Sequence, residues 1–143
     1  MKFRLELKKQ PEEEIVAYVN EVTPLIEELR EIAEGQSQLC GYTEDEIVHL
    51  DYGEIECIYA EGGKTYVAYG DGNRYRLRQR LSHLEPSLPS NFVRINKSAI
   101  ANRAKIKRFT TEIIGAVDVE FLHGYTDYVS RRCFADLRKR YDL

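Results

Sequence analysis

The chain has 143 residues, room for one ordinary domain with a short appendage, and its 43% hydrophobic and 31% charged residues suit a packed core under a well-solvated surface. No apolar run approaches the roughly 20 residues that cross a bilayer, the start lacks the apolar block of a signal peptide, and three scattered cysteines (Cys40, Cys57, Cys133) rule out a disulfide framework, so a cytoplasmic protein is expected. The net charge of −3 hides a segregation: residues 1–61 hold 5 Lys/Arg against 16 Asp/Glu (net −11) and residues 62–143 hold 16 against 8 (net +8), so the average does not exclude a polyanion as partner of the second part.

Residues 2–8 alternate Phe3, Leu5 and Leu7 with Lys2, Arg4, Glu6 and Lys8, the period of a half-buried strand, which Pro11 and Glu12, Glu13 and Glu14 end. Residues 15–19 predict a second short strand. Thr23 as N-cap and Pro24 at the first helical position then open a helix that Gly35 ends. Leu25, Ile26, Leu29, Ile32 and Ala33 form its apolar face. The other face carries Glu27, Glu28, Glu31 and Glu34, relieved only by Arg30, and would be repelled by phosphate. That face is expected to be solvated, with the helix packed on the remaining domain or at a dimer contact.

From Gly41 the pattern is β-like, with strands predicted at residues 47–50, 55–60, 65–69 and 74–78. Turns are expected at 61–64, through Gly62 and Gly63, and at Asp71, Gly72 and Asn73. Residues 79–84 predict one short helix with Leu81 and Leu84 inward, before Pro86 and Pro89 interrupt. Further strands are predicted at 92–95, 106–110, 116–122 and 125–130, with a tight or helical turn at 97–102. His123 and Gly124 make the last hairpin, and residues 134–143 a terminal helix. Short strands at such regular spacing indicate a mainly β domain over 39–143 with short helical turns. A small strand–helix segment, 1–38, precedes it and is expected to pack directly on it, with a role in packing, dimerisation or regulation.

Residues 92–109 carry the densest functional signal. Arg94, Lys97, Arg103, Lys105, Lys107 and Arg108 lie there among core-forming side chains, with Asn96, Ser98 and Asn102 supplying hydrogen-bonding groups. Cations beside polar groups on a stiff scaffold are what a DNA reader needs. Ile95 and Ile100 are expected to anchor the turn so that Asn96, Lys97 and Ser98 project. Lys97 can read guanine or hold a phosphate, and Asn96 can pair with an adenine edge. Asn102 can do the same, or cap a turn through its own backbone. Arg103, Lys105, Lys107 and Arg108 suit phosphate attraction. Arg131 and Arg132 alternate in the expected strand, so only one of them faces DNA; the other holds a phosphate or a carboxylate of the protein.

No catalytic constellation is visible: His49, His83 and His123 lie beside no nucleophile and carboxylate in a recognisable order. There is no CxxC or HxxxH pair, and Glu44, Asp45 and Glu46 read as a solvated loop. Neither an enzyme nor a cofactor or metal site is expected. Tyr59, Tyr66, Tyr69 and Tyr75 offer an alternative, a stacking platform for single-stranded nucleic acid or RNA. A protein-interaction module working through the acidic segment is a further one.

The segments Ile55-Glu-Cys-Ile-Tyr-Ala-Glu61, Tyr75-Arg-Leu-Arg-Gln-Arg-Leu-Ser-His-Leu-Glu85 and Phe92-Val-Arg-Ile-Asn-Lys-Ser-Ala-Ile-Ala-Asn102 resemble the LytTR DNA-binding domain, as do Ile106 and the closing 119–124 and 129–132 stretches. The resemblance spans about residues 45–143, in the family's order and spacing. It implies a β-fold module of bacterial transcriptional regulators that enters successive major grooves with inter-strand loops. The positions matching its DNA-facing loops are Lys64 and Thr65, Asn96, Lys97 and Ser98, and Arg131, the residue expected to touch a base. With some 40 residues ahead of the domain, the chain resembles the stand-alone type without a phosphoacceptor receiver. The resemblance further implies paired double-stranded sites, a homodimer at least on DNA, and a co-encoded small membrane protein as partner.

Overall fold

Valine, isoleucine and tyrosine alternating with polar residues between glycine turns favour pleated strands over helix. The computed structural model describes residues 1–9, 14–33, 38–111, 115 and 117–143, apart from the side chains of Glu28, Glu31, Ile32 and Gln38. The chain divides into one unit from Met1 to Gln36 and another from Ser37 to Leu143.

The first unit contains helix α1 (Pro24–Ala33), opened where expected, with Glu27 N donating to Thr23 O at 3.1 Å. Neither expected strand forms: the described residues of 2–8 and 15–19 have no strand conformation. Alternation supplies a face, but a strand also needs a neighbouring edge for its N–H and C=O groups. Pro11, Glu12, Glu13 and Gly35 lie outside the described residues.

The second unit runs β1 (Gln38–Tyr42), β2 (Ile47–Asp51), β3 (Ile55–Glu61), β4 (Lys64–Tyr69), β5 (Arg74–Leu77), α2 (Leu81–Leu84), β6 (Phe92–Asn96), β7 (Ala99–Asn102), β8 (Ile106–Thr111), β9 (Val117–Phe121), β10 (Thr126–Val129) and α3 (Arg131–Tyr141). Seven strands form one antiparallel sheet in the order β2-β1-β5-β4-β3-β7-β6, and β10-β9-β8 form a second. The mainly β expectation therefore holds. Three local expectations do not. A strand, β1, starts before Gly41; residues 99–102 form strand β7 instead of a helical turn; and Arg131 and Arg132 open α3 instead of closing a strand.

Strand alternation sends successive side chains to opposite faces of the large sheet. Ile58, Val67, Leu77, Phe92 and Ile100 join one core with Leu81 and Leu84 of α2. Their sequence neighbours Cys57, Ala68, Val93 and Ala101 join another with Val117, Val119 and Phe121 of β9 and Leu137 of α3. The register slips between Ile55 and Cys57, leaving Glu56 as the extra residue of a bulge. That bulge lets Ile55 and Ile58, three residues apart, share one core. It also buries the Glu56 carboxylate to 1% exposure, where it accepts from His123 N at 3.0 Å. One buried acid thereby ties the β9–β10 hairpin to the large sheet.

Candidate nucleic-acid interface

Three chain reversals meet at one end of the second unit. The first joins β3 to β4 through Gly62 (φ 58°) and Gly63 (φ 76°), the left-handed pair a two-residue hairpin requires. The second, at residues 96–98, joins β6 to β7. A bond from Ala60 N to Ser98 O (2.8 Å) sets these two side by side. The third is the β10–α3 junction, where Ser130 N donates to Ile95 O at 2.8 Å. Ser130 is the N-cap of α3, its side chain accepting from Cys133 N at 3.2 Å. That cap ends the strand at Val129, ahead of Ser130 and both arginines.

Lys64 and Lys97 are exposed on the first two turns, and Arg131 and Arg132 are exposed on the first turn of α3. As adjacent helical residues, these two arginines diverge by roughly 100°, not by the 180° of a strand. Arg132 lines an open cleft of about 620 Å³ with Lys97, Tyr128 and Arg140. The Arg131 guanidinium lies over Gly115, where an added Cβ would come within 2.5 Å of it. Of these two arginines, Arg132 is the one that lines a cleft with Lys97.

Several expected contact residues are turned inward. Asn96 is 2% exposed: its amide donates to Asp127 Oδ1 (3.1 Å) and Tyr128 O (2.8 Å) and accepts from Ser98 N (2.7 Å). Its backbone sits where the register slips between Arg94 and Asn96, a bulge that re-aims the side chain. Asn102 is 1% exposed, donating to Ile55 O (2.8 Å) and accepting from Ala104 N (3.1 Å) and Asn91 Nδ2 (2.7 Å). Of the two roles open to Asn102 in the sequence, the structure displays the cap. Thr65 is buried in β4, opposite Ala60 and Leu77. Arg94 braces the 96–98 turn, pairing with Glu85 at 2.8 Å and donating to Lys97 O at 3.1 Å. Ser98 is half-buried, with its backbone engaged on both sides.

The remaining cations lie near the other sheet. Arg103 stacks its guanidinium 3.8 Å from the centre of the Tyr141 ring, and Lys105 is half-buried. Lys107 and Arg108 share Glu120, at 3.7 and 3.1 Å. The tyrosines pack on one another instead of forming an open platform. Tyr59 stacks between Tyr66 (5.7 Å) and Tyr125 (5.0 Å), while Tyr69 meets Tyr75 edge-on. Sequence reasoning passed over Arg76 and Arg78, although the alternation of Arg74, Tyr75, Arg76, Leu77 and Arg78 already implied a basic row on one face.

A β scaffold of ten described strands whose inter-strand turns present cations is the architecture of a β-type nucleic-acid-binding module. Comparison with known proteins identifies which one: the LytTr DNA-binding domain family matches residues 45–142, and the chain belongs to that family. Uncharacterised HTH-type transcriptional regulators of Staphylococcus aureus, strains NCTC 8325 and COL, are each 28% identical over 105 residues, covering 73% of this chain and 71% of the relative. A solved LytTr DNA-binding domain from Bacillus cereus shares the fold, with a TM-score of 0.71 at 23% identity over 76% of this chain and all of that one.

Proposed function

We propose that the protein is a sequence-specific transcription regulator that reads the major grooves of duplex DNA through its inter-strand turns. The observation that carries this reading is that Lys64 and Lys97 are exposed on neighbouring turns, with Arg132 lining the Lys97 cleft and Asn96 and Arg94 bracing the 96–98 turn from within. A cation on a braced turn loses little freedom on binding, so it can discriminate between bases as well as attract phosphate. The N-terminus of α3 adds backbone N–H groups and a positive dipole end to the same surface. Arg131 borders this surface on the Gly115 side, and Arg103 and Lys105 contribute to the field that attracts the backbone. The regulator acts in the cytoplasm, as a homodimer on paired sites, and takes its signal from a co-encoded membrane protein.

Selection of bound duplexes from a random pool, followed by binding measurements on the selected site, tests the reading. Lys97→Ala and Arg132→Ala should each cost about 1–3 kcal/mol on that site and relax discrimination at one position. Equal binding by the wild type and both variants would remove these residues from the reading surface. Preference for single strands over duplex would replace the proposal with single-strand binding.

A further inference from the structure

Beyond the three turns, strand β5 carries a row of cations. Leu77 and Tyr75 face the first core, so alternation puts Arg74 and Arg76 on the opposite face, and Arg78 continues the row past the strand end. Side chains two residues apart in a strand stand about 7 Å from each other, so the guanidinium row is about 14 Å long. The row lines an open cleft of about 760 Å³ with Tyr42, Tyr66 and Lys64. Arg74 lies 4.2 Å from the Tyr66 ring centre and pairs with Glu61 at 3.2 Å; Arg78 lies 4.4 Å from the Tyr42 ring centre. Stacking of this kind uses the face of a guanidinium and leaves its N–H edge for an anion. Arg76, between them, is exposed and forms no ion pair with a described residue.

Thr65 pairs with Leu77, a register that brings Lys64 opposite Arg78 and joins the row to the first turn of the interface. Glu44, Asp45 and Glu46 of the β1–β2 turn line the same cleft. Their charge opposes a phosphate, so a backbone in this cleft is held by the β5 cations and not by that hairpin.

We propose that Arg76 and Arg78, continuing from Lys64, form a phosphate-binding strip that grips the duplex backbone beyond the bases read by the turns. The inference rests on the DNA-binding reading above. Charge complementarity and continuity with Lys64 favour the DNA backbone over an acidic protein as the occupant.

The test uses the full chain with two duplexes of equal length, one selected by the protein and one unrelated, between 50 and 200 mM salt. Each phosphate contact removed should lower the slope of log K against log salt by about 0.9, or about 3.5-fold in affinity over that range. Arg76→Gln should show one such step and R76Q/R78Q two, equally on both duplexes, leaving their affinity ratio unchanged. Arg76 has neither ring nor ion-pair partner among the described residues, so the single variant reports on the strip even where loss of the Arg78–Tyr42 stack disturbs the fold. Wild-type slopes in both variants, with discrimination still lost in Lys97→Ala, would overturn the strip and leave the turns as readers. A changed affinity ratio would overturn its assignment to phosphate. Absence of salt-dependent DNA binding by the wild type would overturn the functional reading itself.

Discussion

Asn96 separates two accounts of the 96–98 turn, because a base-reading side chain and a turn-building one fail in different ways. In Asn96→Ala the donors to Asp127 Oδ1 and Tyr128 O and the acceptor for Ser98 N disappear together. Each buried group left without a partner costs about 1–3 kcal/mol, and Asp127 is only half-buried, so water can replace part of its loss. The sum is about 2–4 kcal/mol, read as a fall of about 1–2 M in the urea midpoint with an unchanged m-value. The correctly folded fraction should keep the wild-type salt slope on DNA, since no phosphate contact is removed.

Asn96→Asp sharpens the comparison. It keeps the acceptor for Ser98 N but sets a carboxylate about 3 Å from Asp127, where two such groups cannot both ionise. One of the pair then has a folded-state pKa raised above its unfolded value, so the folded form is favoured below the unfolded carboxylate range and loses ground as pH rises. The deficit against wild type should therefore be larger at pH 7 than at pH 4.5, whereas that of Asn96→Ala should change little. Wild-type stability in Asn96→Ala together with lost base preference would refute this account and return Asn96 to the DNA surface.

Alkaline stability is the next expectation. Burial pushes the Cys57 thiol well above its ordinary 9.0, with the Asp127 and Glu56 carboxylates adding to the effect, and burial likewise pushes the Tyr125 hydroxyl above its ordinary 10.0. The folded state holds protons there that the unfolded chain releases, so stability is complete below about pH 9 and falls above it by up to about 1.4 kcal/mol per pH unit per group. Urea unfolding between pH 7 and 10.5 should show that decline; a flat profile would mean that these groups are hydrated. Gly63→Val forces a β-branched residue to φ 76° and should cost about 1–3 kcal/mol in thermal unfolding. It should also weaken DNA binding, through displacement of Lys64, at temperatures where the protein remains folded.

Much of the β architecture was legible because its signals are local. Residues 55–60, 65–69 and 74–78 alternate between glycine-bearing turns, and their strands lie close to those positions. What escaped was non-local. Asn96 donates to partners 31 and 32 residues away, so nothing adjacent to it signals that its amide turns inward, whereas the cap that Asn102 makes to Ala104 N is local and was open to sequence reading. Ser130 suits both a strand end and an N-cap, and the packing of α3 against the second core, through Leu137 and Phe134, favours the cap. At residues 2–8 the opposite error arose: alternation was present without a described strand to pair with.

The inward amides also bear on how the proposed surface divides its cations. A lysine on a mobile turn would find phosphates on any duplex, which gives affinity without discrimination. Discrimination requires that the turn itself resist displacement, and the Asn96 amide with the Arg94 bond to Lys97 O supplies that resistance from beneath. Arg76 has no equivalent brace among the described residues. The division we propose between reading turns and a gripping strand thus rests on what lies under each cation, not on the charges themselves.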